Sequence, residues 1–125
     1  VARAYIDSLR YGVARVFWYG WNINMLGVDM TRDGNLKAGG NAFLATQDLL
    51  AGATWYGCTT KAGVSTCTIK TRAGAKQKIR YTTSGSKTFR VPRGETQVRG
   101  IANGSVSPVS KGQRVRITTY PVIFS

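Results

Sequence analysis

From Ala53 to the end of the chain, apolar and polar residues alternate with a period of two. Gly, Ser, Pro and Asn interrupt the alternation every few residues. A chain written this way builds short strands joined by turns. The candidate strands cover 53–59, 64–71, 76–82, 87–91, 96–101, 105–109 and 113–124. Seven short strands with frequent turns predict an all-β antiparallel sandwich over residues 54–125. Asn103-Gly104 is a hairpin-turn signal. With Ser105 it also matches a glycosylation sequon, but the turn accounts for it better.

The first 53 residues follow a different period. Ala2, Ile6, Leu9 and Val13 recur at helical spacing, and Gly12 can end that helix in a left-handed cap. Val16 and Phe17 favour a strand over Ala14–Trp18. The stretch Asn22 to Gly40 reads as a loop rich in Asn, Asp and Gly. Asn41 can cap a second helix with Phe43, Thr46 and Leu50 on its apolar face and Gly52 at its end. Helix, strand and helix in that order predict an α/β segment. The second helix runs directly into the first strand of the sandwich, so the two parts are expected to pack rigidly.

The octapeptide ARVFWYGW, Ala14 to Trp21, ends the predicted strand in a burst of aromatic rings. In α/β folds the ligand lies beyond the carboxyl ends of the strands. Trp18, Tyr19 and Trp21 would there suit a flat ligand that stacks on rings, such as a sugar. Packing in a core explains such a cluster equally directly.

Charge is placed unevenly. Residues 1–53 carry five basic and four acidic side chains, and residues 54–125 carry thirteen basic side chains and one acid, Glu95. All but one unit of the net +13 therefore sits in the second half. Lys76, Lys78 and Arg80 alternate with Gln77, Ile79 and Tyr81, and Arg114 and Arg116 with Val115 and Ile117. These five basic residues are expected on outward strand faces, as a surface for an anionic polymer or as a solvated face that keeps the protein soluble. Nucleic acid fits poorly, because the rings cluster in the first half and the charge in the second. No run is long enough to cross a membrane.

Cys58 and Cys67 are the only cysteines. They flank a hairpin-like loop, so a disulfide is plausible, with two buried thiols as the alternative. A bridge would suit an oxidising, extracellular setting: a secreted or cell-envelope protein. The chain has no histidine. Histidine-based triads and histidine-bearing zinc sites are thereby excluded, and two cysteines alone make a poor metal site. No phosphate-cradling glycine loop is present, and no cofactor is expected. The carboxylates are Asp7, Asp29, Asp33, Asp48 and Glu95. Asp29 and Asp33 could touch a ligand, but nothing pairs them as acid and nucleophile.

The order of these pieces resembles the C-terminal end of a secreted glycoside hydrolase, in the clan that includes families 5, 30 and 39, with a (β/α)8 TIM barrel followed by a β-sandwich. ARAYIDSLRYGVARVFWYGW is similar to the seventh helix and eighth strand of such a barrel, and NAFLATQDLLAGATWYGC to its last helix. KTFRVPRGETQVRGIANG and RVRITTYPVIFS resemble closing strands of the sandwich. The resemblance implies that residues 1–53 end a barrel. It implies that Trp18 or Trp21 would floor a sugar subsite, with contacts from Tyr19, Asn22 and Asn24. The family's two catalytic carboxylates would lie upstream of this sequence, so no catalytic residue is carried over. The chain alone is expected to hydrolyse no glycoside. With no initiating Met or visible signal peptide, it is expected to be a cut piece of something longer. Its first half should then need cover from the missing barrel or from another protein chain. The alternative is a non-enzymatic basic sandwich that binds an anionic glycan or joins a larger assembly.

Overall fold

The computed structural model describes residues 1–18, 20–22 and 29–125. Among these residues two helices, α1 (Ala2–Arg10) and α2 (Ala38–Leu50), accompany ten strands. A small hairpin pairs β1 (Thr31–Arg32) with β2 (Asn35–Leu36). The main sheet contains β3 (Thr54–Lys61), β4 (Val64–Lys70), β5 (Lys76–Thr82), β7 (Gln97–Gly100), β8 (Val106–Pro108) and β10 (Val122–Phe124). Its order is β3-β4-β5-β10-β7-β8. The remaining strands, β6 (Lys87–Arg90) and β9 (Arg114–Ile117), leave the sheet and pair as a two-stranded ribbon.

Register fixes what each face of the main sheet carries. Cys58, Cys67, Ile79, Ile123 and Arg99 are successive cross-strand partners, so they share one face. Most of that face is covered by the helices. Ala2, Ile6, Ala42 and Leu49 pack there on Cys67, Ile69, Ile79, Tyr81, Ile101 and Ile123. The opposite face carries Val64, Val98, Val122 and Phe124, on which the ribbon lays Phe89, Val115 and Ile117. The fold is thus helices, a six-stranded sheet and a ribbon, in that order.

The turns follow from local chemistry. Asp33-Gly34 and Ala62-Gly63 have positive φ at both residues, and each forms a two-residue hairpin loop. Helix α1 ends as its glycine indicates. Gly12 has φ 75°, Gly12 N–H donates to the Leu9 carbonyl, and Val13 N–H donates to the Ser8 carbonyl. These are the two bonds of a Schellman cap. Gly40, early in α2, lies so close to the strand hairpin that a Cβ there would sit 2.5 Å from the Met30 carbonyl oxygen.

Several expectations are corrected. The TIM-barrel resemblance does not hold. Among the described residues every strand pair is antiparallel and no sheet closes on itself. The α/β fold class predicted for the first half fails with it. Ala14–Trp18 makes no strand: Val16 is half-buried, and Phe17 is 84% exposed. The main sheet draws all its strands from residues 54–124. Helix α2 begins after Lys37 rather than at Asn41. The strand predicted over 113–124 is two strands, β9 and β10, separated at Thr118–Pro121. Proline has no N–H to give a ladder.

Candidate polyanion interface

The sole acid of the basic half lies inside the fold. Glu95 follows the Pro92-Arg93-Gly94 turn and is buried. Arg80 donates from both terminal nitrogens to its carboxylate, at 2.6 and 2.7 Å. The guanidinium carbon lies 4.1 Å from the Phe89 ring centre and 4.5 Å from that of Phe124. Arg80 is only 2% exposed. Its expected outward position is therefore corrected: it is a cation between two rings, closed by a carboxylate. Lys78 remains exposed and approaches the same carboxylate at 3.6 Å. Lys76 is exposed and lies opposite Lys70 in the register.

The ribbon places its charges differently. Phe89, Val115 and Ile117 turn inward, so Thr88, Arg90, Arg114 and Arg116 turn outward. All four are exposed. Arg90 and Arg114 are direct cross-strand partners, and Arg116 lies two residues along on the same face. Like charges directly opposite one another are unfavourable in a sheet. Among the described residues no ion pair engages any of these three arginines. The segments 87–93 and 111–117 together hold six basic side chains and no acid. The turn Lys111-Gly112 is held against the end of β6 by Gly112 N–H donating to Val91 O and Val91 N–H donating to Gln113 O, which brings Lys111 and Arg93 to the same end of the ribbon. Arg90, Arg93 and Lys111 were not among the candidate residues drawn from the sequence. Their proximity to Arg114 depends on the β6–β9 pairing, which joins segments far apart in the chain.

The remaining acids are engaged elsewhere or exposed. Lys37 Nζ donates to both Asp29 oxygens at 2.8 Å, and these bonds hold the Asp29 carboxyl below its usual pKa. Asp7 accepts from Arg3 Nε and from the Tyr81 hydroxyl. Burial, and then the bond to Asp7, raises the Tyr81 pKa. Arg10 donates to Ser65 and Thr60 hydroxyls and so fastens α1 to the sheet. Asp33 and Asp48 are exposed. Among the described residues no cluster of acidic or cysteine side chains could hold a metal ion.

Of the aromatic candidates, Trp18 and Trp21 lie among the described residues. Tyr19 and Asn24 lie outside the described residues. Trp18 is half-buried. Trp21 packs edge-to-face on Phe43 with ring centres 5.3 Å apart, and Phe43 packs likewise on Tyr5 at 5.6 Å. Asn22 lines a shallow, polar depression of about 510 Å³ with Asp29, Thr31 and Asp33. A larger, mostly apolar cleft of about 780 Å³ runs between the first turns of both helices and the β7–β8 hairpin, with Tyr120 and Arg3 among its walls.

Cys58 and Cys67 are bonded across β3 and β4, directly opposite in the register, with Cα atoms 4.0 Å apart. A bulge after Trp55, at Tyr56-Gly57, precedes the bridge.

These features define a class: a small, disulfide-linked antiparallel β domain with one helical face and an arginine-bearing ribbon on the other. No known protein family and no curated protein matches the chain. The glycoside-hydrolase reading accordingly has neither the barrel architecture nor a family match behind it.

Proposed function

We propose that this chain is a non-enzymatic basic β-sandwich module that binds an anionic glycan. The observation that carries the reading is the outer face of the β6–β9 ribbon. Among the described residues it presents Arg90, Arg114 and Arg116 with no acidic partner, while Glu95 is drawn inside by Arg80. Exposed Lys76 and Lys78 extend the positive surface along β5. Arginine and lysine on a flat ribbon attract anionic groups over about one Debye length, roughly 8 Å at physiological salt. The Cys58–Cys67 disulfide supports a secreted or cell-envelope setting, where such bonds persist and acidic polysaccharides are met.

Retention on immobilised heparin, eluted by a salt gradient, tests this reading. Arg114→Glu with Arg116→Glu should elute at clearly lower salt than Arg15→Glu with Arg32→Glu, which changes net charge equally. Arg15 and Arg32 are exposed and belong to the first half of the chain, outside the ribbon strands. Equal elution would mean that net charge alone governs binding. Flow-through of the unaltered protein at low salt would remove the reading.

A second role, as a component of a larger assembly, is favoured by one observation. The first half leaves Tyr11, Val13, Phe17 and Trp21 between 43% and 84% exposed, and Leu44 39% exposed. Apolar side chains in such number mark contact surfaces. Light scattering should show self-association at rising concentration or a defined complex with another chain. A monomer that stays ordered over residues 1–53 and binds no protein would end this reading.

A further inference from the structure

We infer that the Arg90–Arg114–Arg116 face is a seat for a monoester oxyanion, sulfate or phosphate, so that the module selects esterified over carboxylated glycans. This rests on the proposed glycan-binding function and specifies its ligand.

The number and placement of donors favour an anion with three oxygens. Arg90 and Arg114 face each other across the ribbon, and Arg116 follows on the same side. Cross-strand partners sit about 4.5–5.5 Å apart at Cα, and residues two apart on one strand about 7 Å apart. Three long guanidinium side chains from such a triangle can converge above its centre. A carboxylate has two oxygens, and one guanidinium fork can satisfy both. A carboxylate would therefore engage one arginine and leave its neighbours repelling each other. A monoester of sulfate or phosphate offers three terminal oxygens around one centre, one for each guanidinium. A phosphodiester, with two free oxygens per group, matches the triangle no better than a carboxylate does.

The ribbon also holds these donors in place. The inner faces of its strands are pinned by Phe89, Val115 and Ile117 against the sheet, so the backbone positions of the three arginines are fixed. Arginine rather than lysine stands at all three corners, and its rigid fork suits planar and tetrahedral oxyanions where an ammonium acts as a point charge. Thr88, the cross-strand partner of Arg116, adds a hydroxyl to the same exposed face. The repulsion between Arg90 and Arg114 is present in the free protein and is relieved when an oxyanion lies between them.

The test is a fluorescence titration of the whole chain with dextran sulfate, phosphorylated dextran and polygalacturonate of matched charge density. Dextran sulfate should bind at least about tenfold more tightly than polygalacturonate, because a sulfo group engages several forks at once. Arg114→Lys keeps the net charge and should bring that preference down to about threefold or less. Arg32→Lys should leave it unchanged. Phosphorylated dextran should share that preference over polygalacturonate, and its affinity relative to dextran sulfate tells the two esters apart; phosphorylated dextran binding no more tightly than polygalacturonate would overturn the inference. A single-stranded oligonucleotide binding as tightly as dextran sulfate would overturn it in favour of nucleic acid. Equal binding of sulfated and carboxylated polymers, or a preference that survives in Arg114→Lys, would overturn the inference while the glycan-binding reading stands. Failure to bind any of the polymers would remove both. The same melting temperature for Arg114→Lys and the unaltered protein establishes that any loss is local.

Discussion

Arg80 and Glu95 form the most consequential side-chain contact in the basic half. Both are buried; without Glu95 the Arg80 guanidinium would be left as an uncompensated charge, whereas Glu95 without Arg80 would keep only Lys78 at 3.6 Å. Glu95→Ala should therefore destabilise the fold by about 3–5 kcal/mol in urea unfolding. Replacing both partners, Arg80→Met with Glu95→Gln, should cost clearly less, because no lone charge then remains between Phe89 and Phe124. A double variant as unstable as Glu95→Ala would show that the rings need the cation itself. Asp29 sets a pH dependence. Its folded pKa is lowered, chiefly by the bonds from Lys37, so its contribution is present above its unfolded value of about 3.9 and is lost as pH falls through the folded value. Lys37→Met should flatten the acid limb of stability below about pH 4 and change its slope little near neutrality. The basic residues of β5 show how far such contacts can be read from a sequence. Alternation correctly groups Lys76, Lys78 and Arg80 on one face. It does not say that the ribbon covers part of that face, or that an acid fifteen residues on reaches back to Arg80.

The strands of the second half were legible because each requirement is local. Period-two alternation and Gly-containing turns mark β3, β4, β5, β6, β7 and β8 to within a residue or two. The β1–β2 hairpin was not read, although Asp33-Gly34 is a strong turn signal, because two-residue strands have no alternation to detect. Ala14–Trp18 erred in the other direction. Val16 and Phe17 have strand propensity, but propensity measures fit to a half-buried sheet surface. Val16 instead lines a small cleft with Tyr5, Phe43 and Leu50. The cysteine pairing needed only the hairpin, and β3 and β4 place both residues in register. The bridge closes a loop with a separation of nine residues. Its reduction should lower stability by roughly 2–3 kcal/mol, read as a shift in the urea midpoint with and without reductant. Two titratable thiols in the native protein would contradict the bridge.

Over the whole molecule, two coverings divide the work of the main sheet. The helices close one face and leave apolar side chains outward; the ribbon closes part of the other and leaves arginines outward. The sequence does indicate the charge asymmetry, because it follows from counting. It does not indicate the architecture, because the helical periodicity of the first half reads the same whether the helices flank a barrel or cover an antiparallel sheet. The candidate interface was legible in part for the same reason. Arg114 and Arg116 alternate visibly with apolar residues, whereas Arg90 joins them only through a strand pairing across more than twenty residues. The central claim is that polyanions are held on the outer face of the ribbon. The direct measurement is a heteronuclear NMR titration of the chain with a short heparin fragment, following backbone amides and arginine side-chain N–H groups. The account predicts the largest shifts at residues 88–93 and 111–117, with the side-chain signals of Arg90, Arg114 and Arg116 foremost and that of Arg80 little changed. Shifts spread evenly over all exposed cations, or centred on the helical face, would contradict it.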